Sequence, residues 1–411
     1  MGGKASLYMI LGFSLIFMIA GYNYGLLTSN TIDNDIKYYN ETVAHNIATS
    51  GINLAAHQIF INQSWRAGYS DLAYSGGKIN VTVTANADGL RLISEGEYAG
   101  ATRKIEVQLA PSSFAKFAYY MNLFPGNFSF ATGDTVTGPF HTQGQLSVEG
   151  NPVFQGKATA KNGLKLANKN SKPKFLGGFE SGVNIPITWD VSRTRTAAES
   201  GGKVFNGDHA GKVDVRLKFN ADATVTYSYS YDGGAWTPDS TKPVTALAPN
   251  GVIYVAKGNL YVSGTVSGNY TVFVDQSSGN GTGNIYVEDD IRYKNNPLTN
   301  PSSTDMLGLV CSNNVNIVDN AANRTNCNID ATIFAYKGGL GIENTNMPVS
   351  GAVKVFGGLI EYQAQVLNKK NNAGNIINGY RQRIIFDERL LTMSPNNFPV
   401  TDTFEIVSWL E

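Results

Sequence analysis

The stretch LYMILGFSLIFMIAGYNYGLL, residues 7–27, runs for 21 residues without a charge. As a helix it would be about 31 Å long, matching a hydrocarbon core of about 30 Å. The only charged groups ahead of it are Lys4 and the amino terminus, and the first ones behind it are Asp33 and Asp35. Positive before and acidic behind predicts an amino terminus in the cytoplasm and the remainder outside. A cleaved secretory signal has a shorter apolar region and then a small-x-small site. Here TSNTIDND follows, so the segment is expected to be kept as an anchor.

The helical spacing does not stop at Leu27. Ile32, Ile36, Tyr39, Val43, Ile47 and Leu54 recur on one face, the signature of an amphipathic helix. Ala44, Ala48, Ala55 and Ala56 widen the stripe with strong helix formers. One helix over residues 5–63 is therefore predicted, roughly 90 Å long, apolar all round in its first half and one-sided in its second. The second half needs a cover. KINVTVTA, LRLISEG and TRKIEVQL, within residues 78–109, alternate apolar and polar residues as strands do. They read as an antiparallel meander, with NADG as its first turn, placed to supply that cover.

Beyond Pro111 the period changes. GPFHTQGQLSVEGNPVFQGKATAKNGLKL and GVIYVAKGNLYVSGTVSGNYTVFVDQSSGNGTGNIYVEDDI break into short apolar runs at Gly, Asn and Pro, and Gly-Asn precedes a strand at Gly258, Gly268 and Gly283. LGLVCSNNVNIV, NIDATIFAY and GAVKVFGGLIE continue the theme. Short strands with Asn/Gly corners suggest a β-solenoid, each rung resting on the last. The uneven spacing leaves a β-sandwich as the alternative. DVRLKFN and TVTYSYSY form a hairpin pair inside an expected insertion at residues 203–244. The fold class is α+β in three regions: residues 1–63, a transmembrane and amphipathic helix; 64–110, a small antiparallel sheet covering it; and 111–411, a mainly-β, solenoid-like domain.

Composition excludes some roles. Hydrophobic residues make up 42% of the chain, too many for disorder. Thirty-two basic residues balance 32 acidic ones, so no global field draws the chain to nucleic acid, and none is expected as a partner. One local exception is Lys157, Lys161, Lys165, Lys169, Lys172 and Lys174, with no acid across residues 150–179. They read first as a solvated edge that discourages strand pairing, and second as a patch for an acidic glycan, DNA or an acidic partner subunit.

Cys311 and Cys327 enclose 15 residues. In an exported chain they are expected to form a disulfide contributing roughly 3 kcal/mol, with two buried free thiols as the alternative. No C-x-x-C, G-x-S-x-G, H-E-x-x-H or P-loop occurs, so zinc, redox, hydrolase and nucleotide sites have no motif. His45 and His57 lie about 18 Å apart along one helix, too far to share a metal, and His141 in its Gly/Pro corner reads as a turn hydrogen-bonder. Asp289-Asp290, Asp387-Glu388 and Asp275 could hold a structural calcium or form an acid pair, but neighbours on a strand point to opposite faces. Turn-capping and pairing with Arg292 and Arg389 is the plainer reading. GNGTGN opens no helix, which speaks against a phosphate cradle. No catalytic residue, cofactor or metal is assigned.

GGKASLYMIL at the start and ETVAHNIATSGINLAAHQIF in the outer half of the helix resemble the amino-terminal helix of type IV pilin-like proteins, especially minor pilins. The resemblance implies peptidase cleavage after a glycine, with Gly3 as the counterpart. Gly12 followed by FSLIF also resembles the pilin pattern, with Phe17 where pilins carry glutamate; no glutamate precedes Glu41. The resemblance implies that Leu7, Ile10, Leu11, Phe13, Leu15, Ile16, Phe17 and Ile19 pack in the inner membrane and then against other pilin-like subunits, in the bacterial cell envelope. Residues 114–411 resemble an uncharacterised bacterial family of exported β-rich proteins, on GPFHTQGQ, PKFLGGFE, GVIYV, GNIYVEDDIRYKNNP, SSTDMLGLV, GYRQRIIFDERLL and FPVTDTFEIVSWLE. That resemblance implies surface association and no activity. A structural, membrane-tethered component of a surface filament or pseudopilus that displays a β-rich adhesive or assembly domain, not an enzyme, is therefore expected. The alternatives are a β-solenoid enzyme acting on polysaccharide, or a signal-anchored surface protein that never polymerises.

Overall fold

Helix α1 (Gly2–Ile61) is a single run of 60 residues. No proline precedes Pro111, so nothing removes a donor from its ladder. The structure, a computed structural model, describes residues 2–86, 89–126, 128–188, 192–205, 209, 211–276, 282–370 and 376–411. They form two compact units, Met1–Pro111 with Thr403–Glu411, and Ser112–Asp402. The fold is α+β: one long helix, then a chain that is mostly strand.

In the first unit, Ala44, Ile47, Ala48, Ile52, Ala55 and Ile59 are buried on one face of α1. They pack on a sheet, chiefly on its second and third strands, made of β1 (Tyr69–Tyr74), β2 (Gly77–Asn86), β3 (Gly89–Tyr98) and β4 (Ala101–Ser113), which pair antiparallel in that order. Small residues on both sides let the helix lie flat on the sheet. A Cβ at Gly96 would collide with the carbonyl oxygen of Ala44, and one at Gly51 would lie 2.8 Å from Ile79 Cγ2. Residues 87 and 88 of the NADG turn lie outside the described residues, although Asn86 pairs with Gly89.

Two features of this unit differ from the sequence reading. Ile32, Ile36 and Tyr39 are 53%, 53% and 60% exposed, Tyr39 meeting the sheet only edge-on at Tyr98, because full burial along the helix begins only at Ala44. The sheet also has a fifth strand, Val400–Leu410, next to β4. Residues 403–411 thus belong with the helix and not with the third region, because Phe404 and Trp409 pack on the cluster built around Ile47 and Ile52. The alternation of that strand is irregular and half exposed, which hid its destination.

In the second unit nearly every pairing is parallel. A ten-stranded sheet runs, in spatial order, Phe179–Ser181, Ala158–Ala160, Phe140–Thr142, Tyr119–Met121, Leu359–Glu361, Thr332–Ala335, Met306–Cys311, Asn269–Val274, Val252–Val255 and Lys203–Phe205. The chain enters in the middle, at Tyr119–Met121, and steps outward to Phe179–Ser181. It resumes at the opposite edge with Lys203–Phe205 and returns strand by strand, until Leu359–Glu361 pairs parallel with Tyr119–Met121. Between these strands the chain visits an eleven-stranded sheet whose central strands include Val213–Phe219, Gly258–Val266, Ile285–Tyr293, Cys327–Asp330, Val349–Gly357 and Ile376–Phe386. Val213–Phe219, placed by sequence within an insertion, is a parallel member of that sheet; the hairpin Thr224–Tyr231 and Ser240–Pro243 is added at its edge.

Parallel stacking puts like residues on top of one another. Phe140, Phe154, Phe175 and Phe179 make a column, buried at Phe140 and Phe154 and half-buried at Phe175 and Phe179, with successive ring centroids 5.4, 5.0 and 5.0 Å apart. At one corner the Asn259 side-chain oxygen accepts from the Asn284 backbone N–H at 3.1 Å, that of Asn284 from Asn314 at 3.2 Å, and that of Asn314 from Gly339 at 3.2 Å. Asp214 starts the ladder by accepting from the Asn259 backbone at 3.2 Å. The Gly-Asn repeats at Gly258 and Gly283 therefore supply side-chain acceptors for buried backbone donors.

Candidate functional site

The first half of α1 carries a long uncovered apolar surface. Leu7, Ile10, Leu11, Phe13, Leu15, Ile16, Phe17 and Ile19 are between 54% and 73% exposed. By length and composition α1 suffices to cross a membrane. Just past the apolar run the Thr28 hydroxyl donates to the Tyr24 carbonyl at 2.9 Å, and that of Thr31 to the Leu27 carbonyl at 2.8 Å, so neither asks for an outside partner. Tyr22 and Tyr24, near the end of the apolar run, are exposed. Gly3 lies in the first turn of the helix.

The six lysines are all exposed. Lys157 pairs with Glu180 at 2.6 Å, just beyond the acid-free stretch. Lys161, Lys165, Lys169, Lys172 and Lys174 make no ion pair among the described residues.

The expected disulfide is absent: Cys311 and Cys327 are both free and buried. Cys311 lies on Met306–Cys311 of the ten-stranded sheet and Cys327 on Cys327–Asp330 of the eleven-stranded one. The intervening residues carry the chain from one sheet to the other and do not bring the two thiols onto adjacent rungs. The Cys311 thiol donates to the Asn313 carbonyl at 3.5 Å. Burial pushes both thiols up, out of the reactive range.

The acidic residues singled out by sequence serve the strands. Asp290 accepts from the Asn328 backbone at 2.7 Å and from its side chain at 2.8 Å. Asp387 caps a short turn and pairs with Arg389 at 2.6 Å, while Arg389 donates to the Ser303 and Asp305 carbonyls. Asp275 pairs with Arg195 at 2.6 Å. Among the described residues no group of three His, Cys, Asp or Glu side chains could hold a metal. Residues 279–281 of GNGTGN lie outside the described residues.

His141 is wholly buried. Its Nδ1 is 2.7 Å from the Thr159 hydroxyl, its Nε2 has no partner among the described residues, and burial lowers its pKa to about 4. A neutral ring sealed from solvent is a core group. Sequence reasoning missed Glu361, which is 1% exposed and sits where the last strand of the ten-stranded sheet meets the first. Its carboxylate accepts from the Tyr119 hydroxyl at 2.5 Å and the Leu340 backbone at 3.2 Å, and burial raises its pKa to about 7. Burial likewise raises the Tyr119 hydroxyl. An isolated Glu at the end of an apolar strand carries no signal of this in sequence.

No family model matches this chain, and no curated protein matches it. Among solved structures, that of the competence-associated pilin ComZ from Thermus thermophilus aligns over 90% of this chain and 97% of its own, at 11% identity and a TM-score of 0.36. At that level nothing is carried from it to this chain.

Proposed function

We propose that this chain is a pilin-like, membrane-tethered component of a surface filament or pseudopilus, with its parallel-stranded unit as the part displayed. One observation carries the reading: a single unbroken helix is apolar and uncovered over its first half and seated on an antiparallel sheet over its second. The uncovered half needs an apolar environment from outside the chain. Lipid supplies it while the subunit is stored in the inner membrane, and neighbouring helices supply it after assembly. Lys4 ahead of the apolar run and Asp33 and Asp35 behind it favour an amino terminus in the cytoplasm. Gly3 is then the processing site. Parallel pairing with alternation between two large sheets favours a β-solenoid for the displayed unit over a sandwich, whose sheets are antiparallel.

The mature amino-terminal residue tests this, read by sequencing protein from membrane and sheared-surface fractions. A start at Lys4 in both fractions is expected. A start beyond Leu27, or absence from sheared filaments, would overturn it and leave a secreted or signal-anchored surface protein. The enzymatic alternative fares poorly, because Asp290, Asp387 and Asp275 are already engaged; glycan cleavage abolished by Asp289→Asn or Asp290→Asn would restore it.

A further inference from the structure

Three consecutive strands of the second unit each end a sheet: Leu164–Leu166 the two-stranded one, Lys174–Phe175 the three-stranded one and Phe179–Ser181 the ten-stranded one. Each pairs parallel on one side only, with Leu146–Val148, Val153–Phe154 and Ala158–Ala160. They are the last turn of the first arm of the stack. A last turn leaves backbone donors and acceptors on its outer edge, together with apolar side chains that a further turn would have covered. Leu166 is 46% and Leu176 69% exposed. Phe175 has one ring face on Phe154 and is only half-buried.

Lys161, Lys165, Lys169, Lys172 and Lys174 belong to the same turn and have no acidic partner among the described residues. These cations exclude one occupant and select another. Two such ends brought together would repel, so a second copy of this end is disfavoured. A polyanionic glycan would use the lysines but leave the strand edges and leucines unsatisfied. We propose that this end takes an acidic segment of a partner polypeptide, laid along the edges of Leu164–Leu166 and Lys174–Phe175 as a further turn. Main-chain hydrogen bonds would supply affinity, alternate apolar side chains would cover Leu166 and Leu176, and carboxylates would meet the lysines. The inference uses the proposed display of this unit only to say where the partner is met.

The test uses the full chain in detergent micelles and a fluorescein-labelled synthetic peptide alternating Glu and Val. The expected result is salt-sensitive binding by anisotropy, with hydrogen-exchange protection at residues 164–166 and 174–176. The Lys165→Glu, Lys172→Glu, Lys174→Glu triple variant should bind at least about tenfold more weakly, with an unchanged melting temperature because all three side chains are exposed. No peptide binding would overturn the proposal and leave the lysines as guards of an edge. So would binding of a heparin fragment without the peptide, or protection elsewhere in the chain. None of these outcomes bears on processing at Gly3, so the filament reading stands or falls separately.

Discussion

The two units solve the problem of apolar surface in opposite ways. The parallel-stranded unit covers most of its own, save at the end marked by Leu166 and Leu176: each strand lays its inward residues on the previous one, and buried polar groups such as Asn259, Asn284 and Glu361 are paired inside it. The helix-and-sheet unit covers half. From Ala44 onward α1 is seated on the sheet by small residues that permit close approach, while Leu7–Leu27 is apolar on all sides and meets nothing in its own unit. Its core holds one buried polar side chain among the described residues, Ser94. The apolar strands of one unit find most of their cover within it, whereas the first half of α1 finds none within the other.

The largest expected effect tests the seated half of α1. Ile47→Asp puts an unpaired charge into the helix–sheet core and should cost about 4 kcal/mol or more. Hydrogen exchange should rise through β2 and β3 and stay unchanged in the second unit. Ile16→Asp, in the uncovered half, should leave exchange alone and reduce membrane insertion by about 3 kcal/mol. If both variants left β2 and β3 equally protected, the two halves would not differ as described.

The second test is pH, which should act on the parallel-stranded unit alone. Glu361 is raised to about 7 from an ordinary 4.5, so its contribution is complete below 4.5 and lost as pH rises through about 7. His141 is lowered to about 4 from an ordinary 6.5, so its contribution is complete above 6.5 and lost as pH falls through about 4. The two oppose each other, and the wild type should change little between about pH 5 and pH 8. Glu361→Gln should unmask His141, a gain of about 2 kcal/mol as pH rises over that range. His141→Gln should unmask Glu361, a loss of about 2.5 kcal/mol. Denaturant melts at the two pH values decide it; matching profiles for all three proteins would remove both groups from the account.

A smaller effect is expected at the corner ladder. Asn284→Ala removes the acceptor for the Asn314 backbone donor and should cost about 2 kcal/mol in the second unit, with no change in the first. The smallest effect is chemical. Native protein should resist thiol alkylation, and unfolded, unreduced protein should take up two labels per chain. No label after unfolding would mean that Cys311 and Cys327 are bridged after all.

What the sequence determined by itself is local. An uninterrupted apolar run and a 3.6-residue period announce α1, because both are properties of neighbouring residues. Period-two alternation announces β2, β3 and β4 for the same reason, and Asn/Gly corners announce many short strands. Tertiary structure decided whatever depends on which distant strands meet. It set where along α1 the cover begins, because that is fixed by Gly96 and Gly51 permitting contact at Ala44, Ala48 and Ile79. It sent residues 403–411 back to the first unit, placed Cys311 and Cys327 on different sheets, and joined the two arms of the ten-stranded sheet by pairing Leu359–Glu361 with Tyr119–Met121. A short apolar strand has nearly the same sequence whichever neighbour it pairs with, since backbone hydrogen bonds make the pairing and carry no side-chain signature. Only the assembled stack selects the register, and with it the burial that sets the charge of Glu361 and His141.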